Sequence, residues 1–205
     1  MQAVEQKPIF LPEVQNNPQP GRYYDLIRTN LSAGRETWNI WYLFAFRPEA
    51  TQHLARFTEE VMRGPSPLSS GLRELIAAFT SYNNDCGFCT RAHVSVAAAL
   101  LGSEEMVWGV LRDLETSALG ENEKALFHFI RKVTKNLPEV AEADVKKLRT
   151  IGWSDEAIYY AISVCALFNF YNRWITSTGV QPVSDEGHRS HGKVIAERGY
   201  APERK

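Results

Sequence analysis

The chain is short of several things, and each shortage removes a class of function. It has three cysteines in 205 residues. That is too few for a disulfide scaffold of the kind that staples small secreted domains. Neither charge is in excess, with 23 Lys+Arg against 24 Asp+Glu and a net charge of −1. A protein held to nucleic acid by phosphate contacts needs a basic surplus to release counterions, and there is none overall. The most apolar stretch, Ala157 to Phe168, is broken by Ser163 and followed by Asn169 and Arg173. It falls short of the roughly 18–20 residues that span a bilayer, and reads as a buried helix. The opening residues, Met1 to Pro8, have neither a basic lead nor an apolar core, so no signal peptide is expected. Sustained alternation of apolar and polar residues is missing too, so little or no sheet is expected. The expected setting is the reducing cytoplasm.

What is present is helical periodicity. Residues 1–21 carry Pro8, Pro12, Pro18, Pro20 and Gly21, and read as an extended arm. Tyr23, Leu26, Ile27 and Leu31 then repeat at helical spacing. A second helical segment is expected over 36–46, with Trp38, Trp41, Tyr42 and Phe46. Pro48 opens a third, striped by Leu54, Phe57 and Val61, which ends near Gly64. After the break at 64–67, Ser69 or Ser70 caps a helix with Leu72, Leu75, Ile76 and Phe79 inside. A helix over about 87–101 is closed by Gly102, and Ser103 caps the next. Further helices are expected near 121–136, 141–150 and 154–177, with a weaker one near 184–198. The fold class read from this pattern is all-α, a multi-helix bundle. It divides into N-terminal arm and helices (1–66), lying on the core or on a neighbouring subunit, and a core with C-terminal helix (67–205). The aromatic cluster Trp38, Trp41, Tyr42, Phe44 and Phe46 reads as core or subunit interface, and homo-oligomers are expected. Cys165, among Val164, Ala166 and Leu167, reads as core. His188 and His191 lie in a polar stretch and read as exposed.

The chemistry-bearing segment is Cys86-Gly-Phe-Cys89-Thr-Arg-Ala-His93. With Cys86 at or just before a helix N-terminus, the three side chains share a face of roughly 60°. Thiols at i and i+3 have Cα atoms about 5 Å apart, inside disulfide range. A helix start favours thiolate, the form that attacks peroxides and disulfides. Cys89 and His93, at i and i+4, can interact directly or through one water. Glu74 is the candidate partner for the histidine. It is followed on its helix by the small side chains Ala77, Ala78 and Ser81, which would let the cysteine helix come close. Asn169, Asn172 and Arg173, beside an aromatic run, read equally as pocket lining or as helix-end ligands. The residues alone leave three uses open: a redox dithiol, a structural zinc site for which the motif supplies three of four ligands, or inert thiols.

Glu74 followed by Cys86-x-x-Cys89-x-x-x-His93 resembles the signature of the alkylhydroperoxidase D-like, or carboxymuconolactone decarboxylase, family. The context resembles it as well, in Arg73-Glu-Leu-Ile-Ala77 and in Ala166-Leu-Phe-Asn-Phe-Tyr-Asn-Arg173. Phe46-Arg-Pro48 and Glu186-Gly-His188 are similar to the longer, peroxidase-related branch. The resemblance covers roughly residues 36–200. It implies an all-α fold and a thiol peroxidase with no metal or organic cofactor. Cys89 would be the peroxidatic thiol, Cys86 the resolving thiol, and His93 and Glu74 the proton relay. The implied partners are a hydroperoxide and a dithiol reductant, a lipoyl-type carrier or a thioredoxin-like protein. The chain departs from the family's best-known peroxidase at Phe88, where that enzyme carries a histidine. Lactone decarboxylases of the family generally lack the cysteine pair, so its presence argues against decarboxylation. A general dithiol–disulfide oxidoreductase and a non-enzymatic oligomeric module with zinc are the alternatives.

Overall fold

The structure, a computed structural model, describes residues 7–201. Eleven α-helices and one 3-10 turn make up the regular structure of these residues, with no strand among them. In chain order they are α1 (Pro12–Asn16), α2 (Arg22–Ser32), α3 (Ile40–Phe46), α4 (Pro48–Arg63), α5 (Ser70–Asn83) and α6 (Gly87–Leu101). Then come α7 (Glu104–Arg112), α8 (Glu121–Lys135), the 3-10 turn Leu137–Glu139, α9 (Glu142–Thr150), α10 (Asp155–Thr178) and α11 (Asp185–Arg198). The all-α expectation is borne out. No helix of the described residues is long and apolar enough to cross a membrane.

The centre of the bundle is the α5–α6 hairpin. Every residue of α5 from Arg73 to Ser81 is buried, so this helix is enclosed on all sides. Ser69 caps it, its hydroxyl accepting from the Leu72 N–H at 3.1 Å. The small side chains of Ala77, Ala78 and Ser81 let α6 lie close. The long helix α10 packs on α5, α8 and α4, and α11 packs on α6. Gly192 makes the second contact possible: a Cβ there would sit 2.9 Å from the Ser95 backbone carbonyl carbon.

Some boundaries differ from the sequence expectation. The segment 36–46 becomes helical only at Ile40, because Asn39 turns its side chain to the Lys7 carbonyl at 3.0 Å. The expected arm holds the short α1, and residues 1–6 of it lie outside the described residues. His188 is buried and His191 half-buried, where both were expected to be exposed. α11 lays His188 against Trp38 and Phe88, with ring centroids 5.6 Å apart in both cases, and leaves it 1% exposed. Polar neighbours such as Asp185, Glu186 and Arg189 occupy the outer face and hid this inner one.

Candidate functional site

The joint between α5 and α6 sets the position of the dithiol. Asp85 has a φ of 54°, the left-handed conformation that ends a helix and that Asp tolerates better than most residues. The Asp85 N–H donates to the Tyr82 carbonyl at 3.1 Å, and the Cys86 N–H to the Ser81 carbonyl at 3.0 Å. These two bonds form a Schellman motif. The same Cys86 is the N-cap of α6. One residue therefore closes the first helix and opens the second, as the motif's spacing predicted.

The structure brings all four candidate residues together. The Cys86 and Cys89 sulfurs are 2.8 Å apart, both as thiols, and each residue is 2% exposed. A disulfide needs about 2.05 Å, so bond formation requires a movement of under 1 Å. His93 Nδ1 lies 2.8 Å from Glu74 Oε2. Glu74 is wholly buried. Burial raises its carboxyl, but the hydrogen bond and charge of His93, the charge of Arg63 and the Tyr200 hydroxyl together hold it below the usual carboxylate range. Glu74 is thus an acceptor. The imidazole must present Nδ1–H to it, and in the neutral ring Nε2 is the free, basic nitrogen.

The two thiols are unequal. Cys86 is pulled down to about 6, chiefly by the hydrogen bond from Cys89 and also by bonds to Thr176 and Asn172, against the effect of burial. Burial pushes Cys89 up, and the neighbouring Cys86 adds to this. With both as thiols, Cys86 donates to the Cys89 sulfur; the opposite directions of the two shifts make Cys86 the thiol that ionises first, with Cys89 then donating to it.

Cys89 and His93, but not Cys86, line a cavity of about 50 Å³. Its walls are Trp38, Trp41, Phe44, Phe88, Phe168 and Tyr171, with aliphatic side chains between them. The aromatic cluster read as core or interface is thus largely cavity wall. The Trp38 and Trp41 indole N–H groups have no hydrogen-bond partner, and Tyr171 shares its hydroxyl with Thr58 at 2.7 Å. Of the polar residues beside the aromatic run, Asn172 donates to Ser81 Oγ at 2.9 Å, and its amide oxygen accepts from Asn84 at 3.0 Å. It ties α10 to the α5–α6 joint and touches the dithiol. Asn169 accepts from the same Asn84 at 3.0 Å, and Arg173 donates back to Asn169 at 2.8 Å. Cys165 is core, fully buried in α10. Two participants escaped the sequence reading. Arg63 Nη2 donates to Glu74 Oε1 at 2.6 Å, and the Tyr200 hydroxyl donates to Glu74 Oε1 at 2.8 Å. No group of three or more Cys, His, Asp or Glu among the described residues is arranged to hold a metal.

The all-helical bundle matches solved structures described as peroxidase-related and as an alkylhydroperoxidase AhpD core. Residues 48–132, spanning α4 to most of α8, match the model of the carboxymuconolactone decarboxylase family. An uncharacterized peroxidase-related protein from Silicibacter sp. TM1040 superposes with a TM-score of 0.78 at 25% identity, over 92% of this chain and 98% of that one. The alkylhydroperoxidase AhpD core of an uncharacterized peroxidase-related protein from Ralstonia eutropha JMP134 gives 0.72 at 24% identity, over 85% and 91%. The debrominase Bmp8 in complex with 2,3,4-tribromopyrrole shares the fold at 16% identity and a TM-score of 0.67, over 85% and 96%. No curated protein matches the chain.

Proposed function

We propose that the protein is a thiol-dependent peroxidase that reduces organic hydroperoxides through its Cys86–Cys89 dithiol. The observation that carries this reading is the cavity lined by both Cys89 and His93, with His93 Nδ1 held by a buried carboxylate. Because the reduced pair keeps its proton on Cys89, that proton must leave as peroxide arrives. His93, one turn along α6, is the base suited to take it. The Cys89 sulfur then attacks the terminal oxygen of R–O–O–H, and the O–O bond breaks. The departing alkoxide leaves as an alcohol with the proton from His93. Cys89 is now a sulfenic acid. Cys86, already a thiolate, attacks that sulfur, forms the disulfide and expels hydroxide, which solvent protonates to water. The dithiol has given two electrons to the peroxide, and an external dithiol restores it by exchange. Among reductants, a slender lipoyl-type arm suits thiols this buried better than a folded thioredoxin-like surface. Glu74 orients His93 and stabilises its charge, and is not itself the proton carrier. The peroxidase-related descriptions of the similar structures support the class of reaction.

The test is peroxide consumption by reduced protein with cumene hydroperoxide and a lipoyl dithiol. Wild type should turn over, Cys89→Ser should not, and Cys86→Ser should stop at a trapped sulfenic acid after one equivalent. A wild type no faster than Cys89→Ser would overturn the reading. Reduction of a protein disulfide without peroxide turnover would favour the general oxidoreductase instead.

A further inference from the structure

Two residues far from the motif converge on the carboxylate that holds His93. Arg63 is the last residue of α4, and Tyr200 follows α11. Glu74 takes hydrogen bonds from His93 Nδ1 at 2.8 Å, from Arg63 Nη2 at 2.6 Å, and from the Tyr200 hydroxyl at 2.8 and 3.0 Å to its two oxygens. This carboxylate is 0% exposed, so these donors offset the cost of burying its charge.

Tyr200 is fixed without using its hydroxyl. Its N–H and that of Ala201 donate to Glu59, its carbonyl accepts from Arg22 at 3.1 Å, and the Arg63 guanidinium lies 5.1 Å from its ring centroid. The phenol stays protonated, since burial and the charge of Glu74 both oppose its ionisation. Its O–H is therefore a permanent donor to Glu74, and the same oxygen lies 3.3 Å from His93 Nδ1. Arg63 is held in turn by its own bond to the Met62 carbonyl at 2.9 Å. The remaining ionisable groups around the pair are Glu59 of α4, Arg73 of α5, Cys86 and Cys89 of α6, and Tyr171 of α10. Arg73 spends its guanidinium on the Val61 and Gly64 carbonyls at 3.0 and 2.9 Å, and Tyr171 is paired with Thr58.

We propose that Tyr200 and Arg63 are positioning residues of the dithiol site: by donating to Glu74 they keep it an unprotonated acceptor, which fixes the His93 proton on Nδ1 and leaves Nε2 free for the Cys89 proton. The inference rests on the reading of His93 as the base of that site. A purely structural Tyr200 would hold the chain end in place and leave the histidine's proton equilibrium alone. A positioning Tyr200 sets that equilibrium. Without its O–H, the carboxylate is less stabilised and more basic. It then takes the shared proton itself or holds the imidazolium more tightly. Both outcomes make the Glu74–His93 pair bind its proton at higher pH.

The experiment is a pH titration of the His93 ring nitrogens by long-range proton–nitrogen NMR on the full-length, reduced, [15N]histidine-labelled protein. The resonance is assigned by its loss in His93→Gln. In Tyr200→Phe, which keeps the ring, the midpoint should rise by about one pH unit, the size expected for one lost hydrogen bond to a charge. Arg63→Lys, which keeps the charge and loses the planar fork, should move it upward by less. In a Glu74→Gln background, Tyr200→Phe should produce no shift. A midpoint unmoved in both variants, or an equal shift in the Glu74→Gln background, overturns the proposal. Peroxide turnover plays no part in this readout. An inactive wild type would remove the peroxidase reading, while the titration would still decide the positioning role.

Discussion

The Cys86 and Cys89 sulfurs lie 2.8 Å apart, and the thiol that ionises first is the one that does not line the cavity. The arrangement fixes the pH at which the dithiol becomes reactive. Alkylation of Cys86 by iodoacetamide, followed by peptide mass, should show a midpoint near 6. Cys89→Ala removes the donor and retains the burial, so the midpoint should climb by one pH unit or more. An unchanged midpoint would show that Cys89 is not what stabilises the anion.

His188 should make the folded protein acid-sensitive. Burial drives it from 6.5 down to about 4, and neither ring nitrogen has a partner. Its folded value lies below its unfolded one, so the unfolded chain binds the proton more readily. The stability that His188 retains as a neutral ring is complete above about pH 6.5 and drains away as pH falls toward about 4. The loss amounts to about 3 kcal/mol at most. Denaturant melts at pH 7, 5.5 and 4.5 should show the decline. His188→Phe should flatten it and be neutral or stabilising at pH 7, because it removes two unpaired polar atoms from among Trp38 and Phe88.

Gly192→Ala should separate α11 from α6. The added methyl would sit 2.6 Å from Ser95 Cβ and 2.9 Å from backbone, and backbone cannot swing aside. A cost of about 1–3 kcal/mol is expected, read as a fall of several degrees in Tm. A wild-type Tm would mean the helices have slack at this crossing.

Much of this was legible beforehand. The helices follow from apolar periodicity and from the caps at Ser69 and Ser103, and the Cys86–His93 face follows from helical phase alone. The Glu74–His93 contact was legible because small residues on α5 announce close approach. Tyr200 and Arg63 were not. Tyr200 reaches Glu74 across 126 residues of chain and Arg63 from the end of the preceding helix, and neither belongs to a repeating pattern. His188 was misread because its polar neighbours dominate any window around it, while what buries it, Trp38 and Phe88, comes from remote parts of the chain. The cavity left no signal of its own, because a cluster of aromatic residues looks the same in sequence whether it only fills space or also encloses it.

Asp85→Val should damage the joint that both helices share. A β-branched side chain at a φ of 54° is strained by about 1–2 kcal/mol. The variant should melt earlier. It should also close the Cys86–Cys89 disulfide more slowly after peroxide, because Cys86 hangs on the Schellman bond to Ser81. Equal rates of disulfide formation would show that the turn supports the fold without aligning the sulfurs.

The depth of the two thiols has a consequence for what the protein can meet. With each residue only 2% exposed, a reagent is sorted first by its girth and only afterwards by its reactivity. A small neutral oxidant should reach the aromatic-lined cavity beside Cys89 and react at its own pace. A wide aromatic disulfide reagent must wait for the bundle to breathe, and past a threshold concentration adding more of it gains no speed. The same depth should slow exchange between bulky disulfides and the pair.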